Sequence, residues 1–338
     1  MIIVLKPKIT PAQEREVLRE IRKLGYAPHV MRGVERVVIG AIGDERTHKT
    51  LETLTTWPQV ESVIPVQKRY KLVSREAHPQ NSTVKIGKNV VLGGKKFHVM
   101  AGPCSVESEK QLLATAEAVK KAGATILRGG AFKPRTSPYE FQGLGKKGLK
   151  LLAKARRETG LPVITELLSE NHAELVAEYA DILQIGTRNA QNFQLLIAAA
   201  KTGKPVLLKR GLAMKIEEWL LAGEYILANE NPNLMFCERG IRTFETYTRN
   251  TLDLSTIPII KKESHSPIVI DPSQGAGRAD LITAMCKGSV AMGADALLIE
   301  VHPNPAEAWS DGAQQVTPEG FARLMEELKP FIAAAGRE

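Results

Sequence analysis

Eight short apolar strand cores recur between Phe97 and the C-terminus, each followed by a stretch long enough for an amphipathic helix. They are HVMAG at 98, TILRG at 125, PVITE at 162, DILQIG at 181, PVLLKR at 205, LMFCER at 234, PIVIDP at 267 and ALLIEV at 296. Strands alternating with helices build a parallel sheet, and eight units in about 240 residues have the size of a (β/α)8 TIM barrel. A doubly wound open sheet is the competing architecture, but no G-x-G-x-x-G fingerprint follows the first strand. In a barrel, reactive side chains belong at the C-terminal strand ends. Those ends read Cys104, Arg128, Glu166, Gln184 with Arg188, Lys209, Glu238 with Arg239, Asp271, and Glu300 with His302. Structural termini would show caps and glycines; this ring reads as a catalytic face.

Residues 1–66 follow another pattern. Apolar Ile2 to Leu5 reads as a strand, Thr10-Pro11 as the N-cap and first turn of a helix through Leu24, and His29 to Met31 with Val37 to Ile42 as a hairpin around Gly33. A second helix over Glu45 to Leu54 and a strand over Val60 to Val66 complete β-α-β-β-α-β, a ferredoxin-like α+β unit. Residues 67–96 read as a linker, Gln67 to Ser82, followed by a hairpin of Val84 to Val91 with Lys95 to Val99 around Gly93-Gly94. The catalytic barrel is then 97–338.

Composition limits the function classes. The 338 residues are 43% hydrophobic and 25% charged, ordinary globular values, and no apolar run approaches the roughly 18 residues that span a bilayer. No secretory signal is readable in MIIVLKP, and Cys104, Cys237 and Cys286 are too few and scattered for a disulfide framework. A cytoplasmic protein without a membrane partner is expected. The net charge of +9 attracts anions, but aromatics make up only 5% of the chain and the basic residues are dispersed. That argues against nucleic acid and fits small phosphorylated substrates equally well. Cys237 and Cys286 read as structural, and His265 is the one histidine away from the strand ends with some claim to the face.

Six runs carry a more specific signal: AGPCS at 101, LRGGAFKPRTSPYEFQGLG at 127, QIGTRNAQN at 184, LLKRG at 207, CERGIRT at 237 and EVHPNP at 300. Together, in order and across the whole chain, they resemble the 3-deoxy-7-phosphoheptulonate (DAHP) synthases that carry an N-terminal ferredoxin-like domain. KPRTS resembles these enzymes better than the sister synthases of 3-deoxy-octulosonate 8-phosphate, which usually have an asparagine-containing variant there. The resemblance implies condensation of phosphoenolpyruvate with erythrose 4-phosphate, with loss of phosphate, as the first step of aromatic amino-acid synthesis. It assigns Arg128, Lys133, Arg188, Lys209 and Arg239 to phosphoenolpyruvate, and Arg135, Thr136 and Ser137 to the aldose phosphate. Guanidinium forks suit such oxyanions. Lys133 and Glu166 match the proton-transfer positions, and a lysine among cations is expected to have a lowered pKa. The resemblance also implies a homotetramer and a regulatory role for 1–66 through tyrosine or phenylalanine.

The family uses a divalent metal, most readily Mn2+ here, to polarise the aldehyde. Its cysteine, glutamate and aspartate ligands match Cys104, Glu300 and Asp311. Its D-P-S-H histidine is replaced, in the run Asp271 to Gln274, by Gln274. Three readings are open: the Gln274 carbonyl oxygen is a weaker fourth ligand, His302 compensates from the same strand face, or the metal is lost. The last would leave a metal-independent variant or a regulatory protein that only binds metabolites.

Overall fold

The computed structural model describes residues 1–32, 36–43, 50–64 and 69–338. They form two compact units, Met1–Arg69 and Tyr70–Glu338.

In the first unit, β1 (Ile2–Leu5), β2 (Ala27–Arg32), β3 (Val37–Ile42) and β4 (Val60–Ile64) form an antiparallel sheet in the order β2-β3-β1-β4. Helix α1 (Pro11–Lys23) starts at a reciprocal cap: the Thr10 hydroxyl accepts from Gln13 N, and Gln13 Oε1 accepts from Thr10 N. Val17 and Ile21, one turn apart, are buried with Ile3, Leu5, Ile39, Leu51 and Leu54. The expected hairpin turn at Gly33 and the first half of the expected second helix fall in 33–35 and 44–49, outside the described residues. The described remainder of that helix, Leu51–Thr56, is a 3-10 segment. The hydroxyls of Thr53, Thr55 and Thr56 each donate to the carbonyl three residues back, a side-chain competition that disfavours a longer α-helix.

The second unit is a closed parallel barrel. Its strands are β7 (His98–Gly102), β8 (Ile126–Arg128), β9 (Val163–Leu167), β10 (Ile182–Ile185), β11 (Val206–Lys209), β12 (Leu234–Glu238), β13 (Ile268–Ile270) and β14 (Ala296–Glu300), with β14 closing onto β7. Between and after them run α2 (Glu109–Lys121), α3 (Lys146–Thr159), α4 (Ala173–Tyr179), α5 (Phe193–Lys201), α6 (Ile216–Leu227), α7 (Thr256–Glu263), α8 (Pro272–Ala276), α9 (Ile282–Ala291) and α10 (Pro318–Ala334). Outward strand residues such as Val163, Leu183, Leu208, Phe236 and Ile299 pack on the helices.

Ile126, Ile164, Ile182, Leu207, Cys237, Val269 and Leu298 fill the barrel interior. Two residues further along the same strand face come Arg128, Glu166, Gln184, Lys209, Arg239, Asp271 and Glu300. Period-two alternation thus turns the interior face of seven of the eight strands, β8 to β14, from apolar to reactive at its C-terminal end. Gly102 is required where β7 meets β8: its φ is 152°, and a Cβ there would lie 2.1 Å from the Arg128 carbonyl oxygen.

The N-terminal end of the barrel interior is closed by a hairpin, β5 (Val84–Ile86) with β6 (Val90–Leu92), whose Val84, Ile86, Val90 and Leu92 join the interior cluster. It turns at Gly87, with φ of 59°, and not at Gly93-Gly94 as expected. The apolar alternation of 84–92 is divided by the left-handed Gly87, and the segment beyond Gly94 leads into β7 instead. From Tyr70 the segment read as a linker is laid against this same unit. The Glu224 carboxylate accepts from the backbone N–H groups of Lys71, Leu72 and Val73. His265 reaches the Leu72 carbonyl at 2.8 Å and the Ser82 hydroxyl at 2.7 Å.

Candidate active site

The C-terminal strand ends surround a cavity of about 380 Å³. Arg128, Lys133, Arg135, Arg188, Lys209, Arg239, Arg242 and Arg249 line it, against only Glu140, Glu166 and Asp311 among acidic residues. Two buried cations at this mouth are already neutralised. Lys209 donates to Asp271 at 2.6 Å, and Arg210 pairs with Glu238 and Asp253. Arg239 is not: no carboxylate lies within salt-bridge distance of it among the described residues, and its Nε and Nη1 are buried without a hydrogen-bond partner. Burial presses its guanidinium below its ordinary pKa, opposed by Asp271. A guanidinium with bare donors at a cavity wall is a site for an oxyanion.

On one side of the cavity, Cys104, Glu300 and Asp311 place a sulfur and two carboxylate oxygens within 4.8 Å of one another. Burial, then the Glu300 charge, push the Cys104 thiol up to about 11, against the pull of Lys133 and Arg128. The protonated thiol donates to Asp311 Oδ2 at 3.4 Å. Burial alone would raise the Asp311 pKa, but Arg249, Lys133 and hydrogen bonds from Cys104 and Gln274 hold it below its usual value. Asp311 itself has left-handed backbone, φ 48°, uncommon outside glycine. One thiol and two carboxylates converging at this spacing fit a divalent cation.

Gln274 adjoins this group with its amide nitrogen, not its oxygen. Nε2 donates to Glu300 Oε1 at 3.1 Å and Asp311 Oδ2 at 3.4 Å, while Oε1 accepts from Arg239 Nη2 at 3.1 Å. His302 is turned elsewhere: its Nε2 is 3.2 Å from Glu107 and its Nδ1 accepts from Asn304 N. It therefore does not stand in for the missing histidine.

Lys133 Nζ lies 3.0 Å from Cys104 Sγ and 3.2 Å from the Cys104 carbonyl oxygen. The expected lowering of its pKa is reversed. Burial, the largest influence, does act to lower it, but Cys104, Glu300 and Glu166 outweigh burial and Arg128 together, and the ammonium is held above its ordinary value. Counting cations in the sequence missed the anions that the fold brings to the same point. The Glu166 carboxyl is raised by burial against Lys133, Lys209, Arg128 and Arg188, the direction that suits proton transfer near neutrality.

The KPRTS run is only partly at the cavity. Arg135 lines it while paired with Glu140 at 2.9 Å, and the Thr136 hydroxyl accepts from Arg188 Nη2 at 3.5 Å. Ser137 does not line it; its hydroxyl accepts from Tyr139 N and shapes the turn. Cys237 is buried in the barrel interior and Cys286 on α9. His265 is away from the cavity, against the segment 72–82.

Sequence reasoning missed the residues that hold the anionic donors. Gln314 Nε2 donates to Glu300 Oε2 at 2.6 Å, and Arg249 Nη1 donates to both Asp311 and Gln314. Gln315 accepts from Cys104 N, and Glu107 joins His302 to Trp309 N. The only signal was the polar run SDGAQQ after the last strand, which by itself reads as a solvated loop.

The fold and this site define a (β/α)8 enzyme whose cationic cleft adjoins a group of potential metal donors. Residues 74–334 match the model of the DAHP synthetase I family, and residues 1–68 match that of the DAHP synthase ferredoxin-like domain. The chain is 49% identical to the phospho-2-dehydro-3-deoxyheptonate aldolase of Thermotoga maritima, over 99% of each chain. It is 32% identical to a 2-dehydro-3-deoxyphosphooctonate aldolase of Caulobacter vibrioides, over 75% of this chain and 92% of the relative. The crystal structure of the Thermotoga enzyme superimposes with a TM-score of 0.95, covering 100% of this chain and 98% of that one. The chain belongs to the DAHP synthetase I family and is a carbon–carbon bond-forming enzyme. No helix among the described residues is long and apolar enough to cross a membrane.

Proposed function

We propose that the chain condenses phosphoenolpyruvate with erythrose 4-phosphate to 3-deoxy-D-arabino-heptulosonate 7-phosphate and inorganic phosphate, the first step of the shikimate pathway. The observation that carries this reading is Arg239, with Nε and Nη1 unpartnered and no carboxylate beside it, sharing one cavity with Lys133, Arg188 and Lys209 beside the Cys104, Glu300 and Asp311 donors. One face of that cavity offers cations for a substrate bearing both a phosphate and a carboxylate. The other offers donors for a metal.

In this reading Arg128, Arg188, Lys209 and Arg239 hold the phosphoenolpyruvate oxyanions, and Arg135 and Thr136 hold the aldose phosphate, with Ser137 shaping their loop. A divalent cation held by Cys104, Glu300 and Asp311, Mn2+ being the best suited to these donors, would supply Lewis-acid polarisation of an aldehyde oxygen. Gln274 completes the set only by turning its amide. Lys133, charged at neutral pH, delivers a proton from Nζ as the aldehyde oxygen becomes a hydroxyl. Glu166 takes a proton from water adding at the former enol carbon. Residues 1–66 are a regulatory domain responding to tyrosine or phenylalanine, the assembly is a homotetramer, and the compartment is the cytoplasm.

The four-carbon acceptor is favoured by KPRTS and by the full-length similarity to the heptonate enzyme. The test compares kcat/KM for erythrose 4-phosphate and arabinose 5-phosphate with phosphoenolpyruvate and Mn2+ present. A preference for the four-carbon aldose on the order of a hundredfold is expected. A preference for the five-carbon aldose would overturn the assignment.

A further inference from the structure

The backbone of Gln274 is pinned on both sides. Its N–H donates to Asp271 Oδ1 at 2.9 Å, and its carbonyl accepts from Asn250 Nδ2 at 2.9 Å. What remains free is the side-chain amide, whose terminal torsion is broad and roughly two-fold. With no cation between the carboxylates only one of its two orientations is satisfied. The nitrogen must face Glu300 and Asp311, and the oxygen must face Arg239. Reversal would set oxygen against carboxylate oxygens and N–H against guanidinium N–H. A cation at the same carboxylates inverts this preference: it displaces the N–H donors and attracts the amide oxygen. Turning the amide then strips Arg239 of its one acceptor, since Nε and Nη1 already lack partners. An oxyanion on Arg239 removes that penalty by accepting from both the guanidinium and the turned amide.

Resting on the reading above, we propose that the Gln274 amide is a two-position coupler between the cation donors Cys104, Glu300 and Asp311 and the anion-binding Arg239. In one position it substitutes for the cation and occupies the arginine. In the other it serves both ligands. Cation and oxyanion consequently bind with positive cooperativity beyond their direct attraction, and each raises the affinity of the other by the same factor.

The test is titration calorimetry of Mn2+ into the chelated full chain, with and without saturating phosphoenolpyruvate, for wild type, Gln274→Met and Gln274→His. Methionine fills the space but neither latches Arg239 nor bridges the carboxylates. Histidine gives a nitrogen ligand with no amide to turn. Thermal melts establish that both variants are folded, and either folded variant suffices. In both, direct attraction between the two ligands persists. The wild type is expected to show a rise in Mn2+ affinity with phosphoenolpyruvate that exceeds the rise in either variant by on the order of tenfold. Equal rises in wild type and variant would overturn the coupler while leaving the function intact. Failure of phosphoenolpyruvate to bind the wild type at all would overturn both.

Discussion

A Cβ on Gly186 would lie 1.9 Å from Oε1 of Glu166. The strand end that supplies Gln184 therefore leaves, two residues later, the space the neighbouring carboxylate occupies. The obstacle to a larger residue is the far end of a flexible side chain and not backbone, so Gly186→Ala is expected to fold and to displace the carboxylate. Misplacing a proton-transfer group by about 1 Å can cost roughly a hundredfold. The expected outcome is a kcat lower by at least about tenfold with a melting temperature near that of wild type. Unchanged kcat would remove Glu166 from the chemistry.

The proposed division of the cavity gives Arg135 to the aldose alone. Its side chain lines the cavity and is otherwise held by exposed Glu140, whereas Arg239 and Lys209 are proposed to hold phosphoenolpyruvate. Arg135→Ala should raise the KM for erythrose 4-phosphate by roughly ten- to a hundredfold, as for a lost charge-assisted contact of about 1.5–3 kcal/mol. The KM for phosphoenolpyruvate should move little. Equal rises in both would contradict the division of the cavity.

His265 makes the attachment of the segment 72–82 sensitive to pH. Burial lowers its pKa below the ordinary value of 6.5; His78, at 4.6 Å between ring centroids, and Arg75 act in the same direction, while the Leu72 carbonyl and Glu224 oppose them. The unfolded chain thus binds this proton more readily than the folded one. The stability from the neutral ring is complete above about pH 6.5 and is lost as pH falls below it. His265→Gln should melt lower than wild type at pH 7.5, and the gap should narrow by on the order of 1–3 °C by pH 5. A gap constant across that range would show that the histidine does not titrate against folding.

Met1–Arg69 form a unit with its own apolar core, and the segment from Tyr70 is held on the barrel unit by Glu224 and His265. Removing 1–66 should therefore leave the barrel folded and active. It should also abolish inhibition by tyrosine or phenylalanine, measured as the change in kcat/KM on adding either amino acid. Inhibition that persists in the truncated chain would place the effector elsewhere.

The barrel and the ring of site residues were legible because both are written in local periodicity. Ile126 and Arg128, Ile164 and Glu166, and Leu298 and Glu300 each share a strand face by alternation, so an apolar strand with a charged residue two positions on already locates a catalytic mouth. What could not be read depends on contacts between distant segments. The Lys133 pKa is set in part by Glu300, on the last strand of the barrel. The roles of Gln314 and Arg249 exist only once the last loop, which carries Asp311 and Gln314, meets Arg249 and folds back on Glu300. Gln274 was visible as a departure from D-P-S-H, but the side of its amide that meets the carboxylates depends on Arg239, which a sequence pattern does not place. The hairpin was displaced for a simpler reason: Gly87 and Gly93 both have positive φ, and the chain turns at the first of them, which pairs Ile86 with Val90 and Val84 with Leu92.

Condensation of the two substrates is tested by the inorganic phosphate that the full chain releases after exhaustive chelation and reloading with Mn2+. Phosphoenolpyruvate and erythrose 4-phosphate are supplied together and singly. Phosphate is expected in equal amount to the seven-carbon product when both are present, with none when either is omitted, and a large loss of rate after chelation that Mn2+ restores. Phosphate release from phosphoenolpyruvate without the aldose, or no release with both substrates and metal, would contradict it.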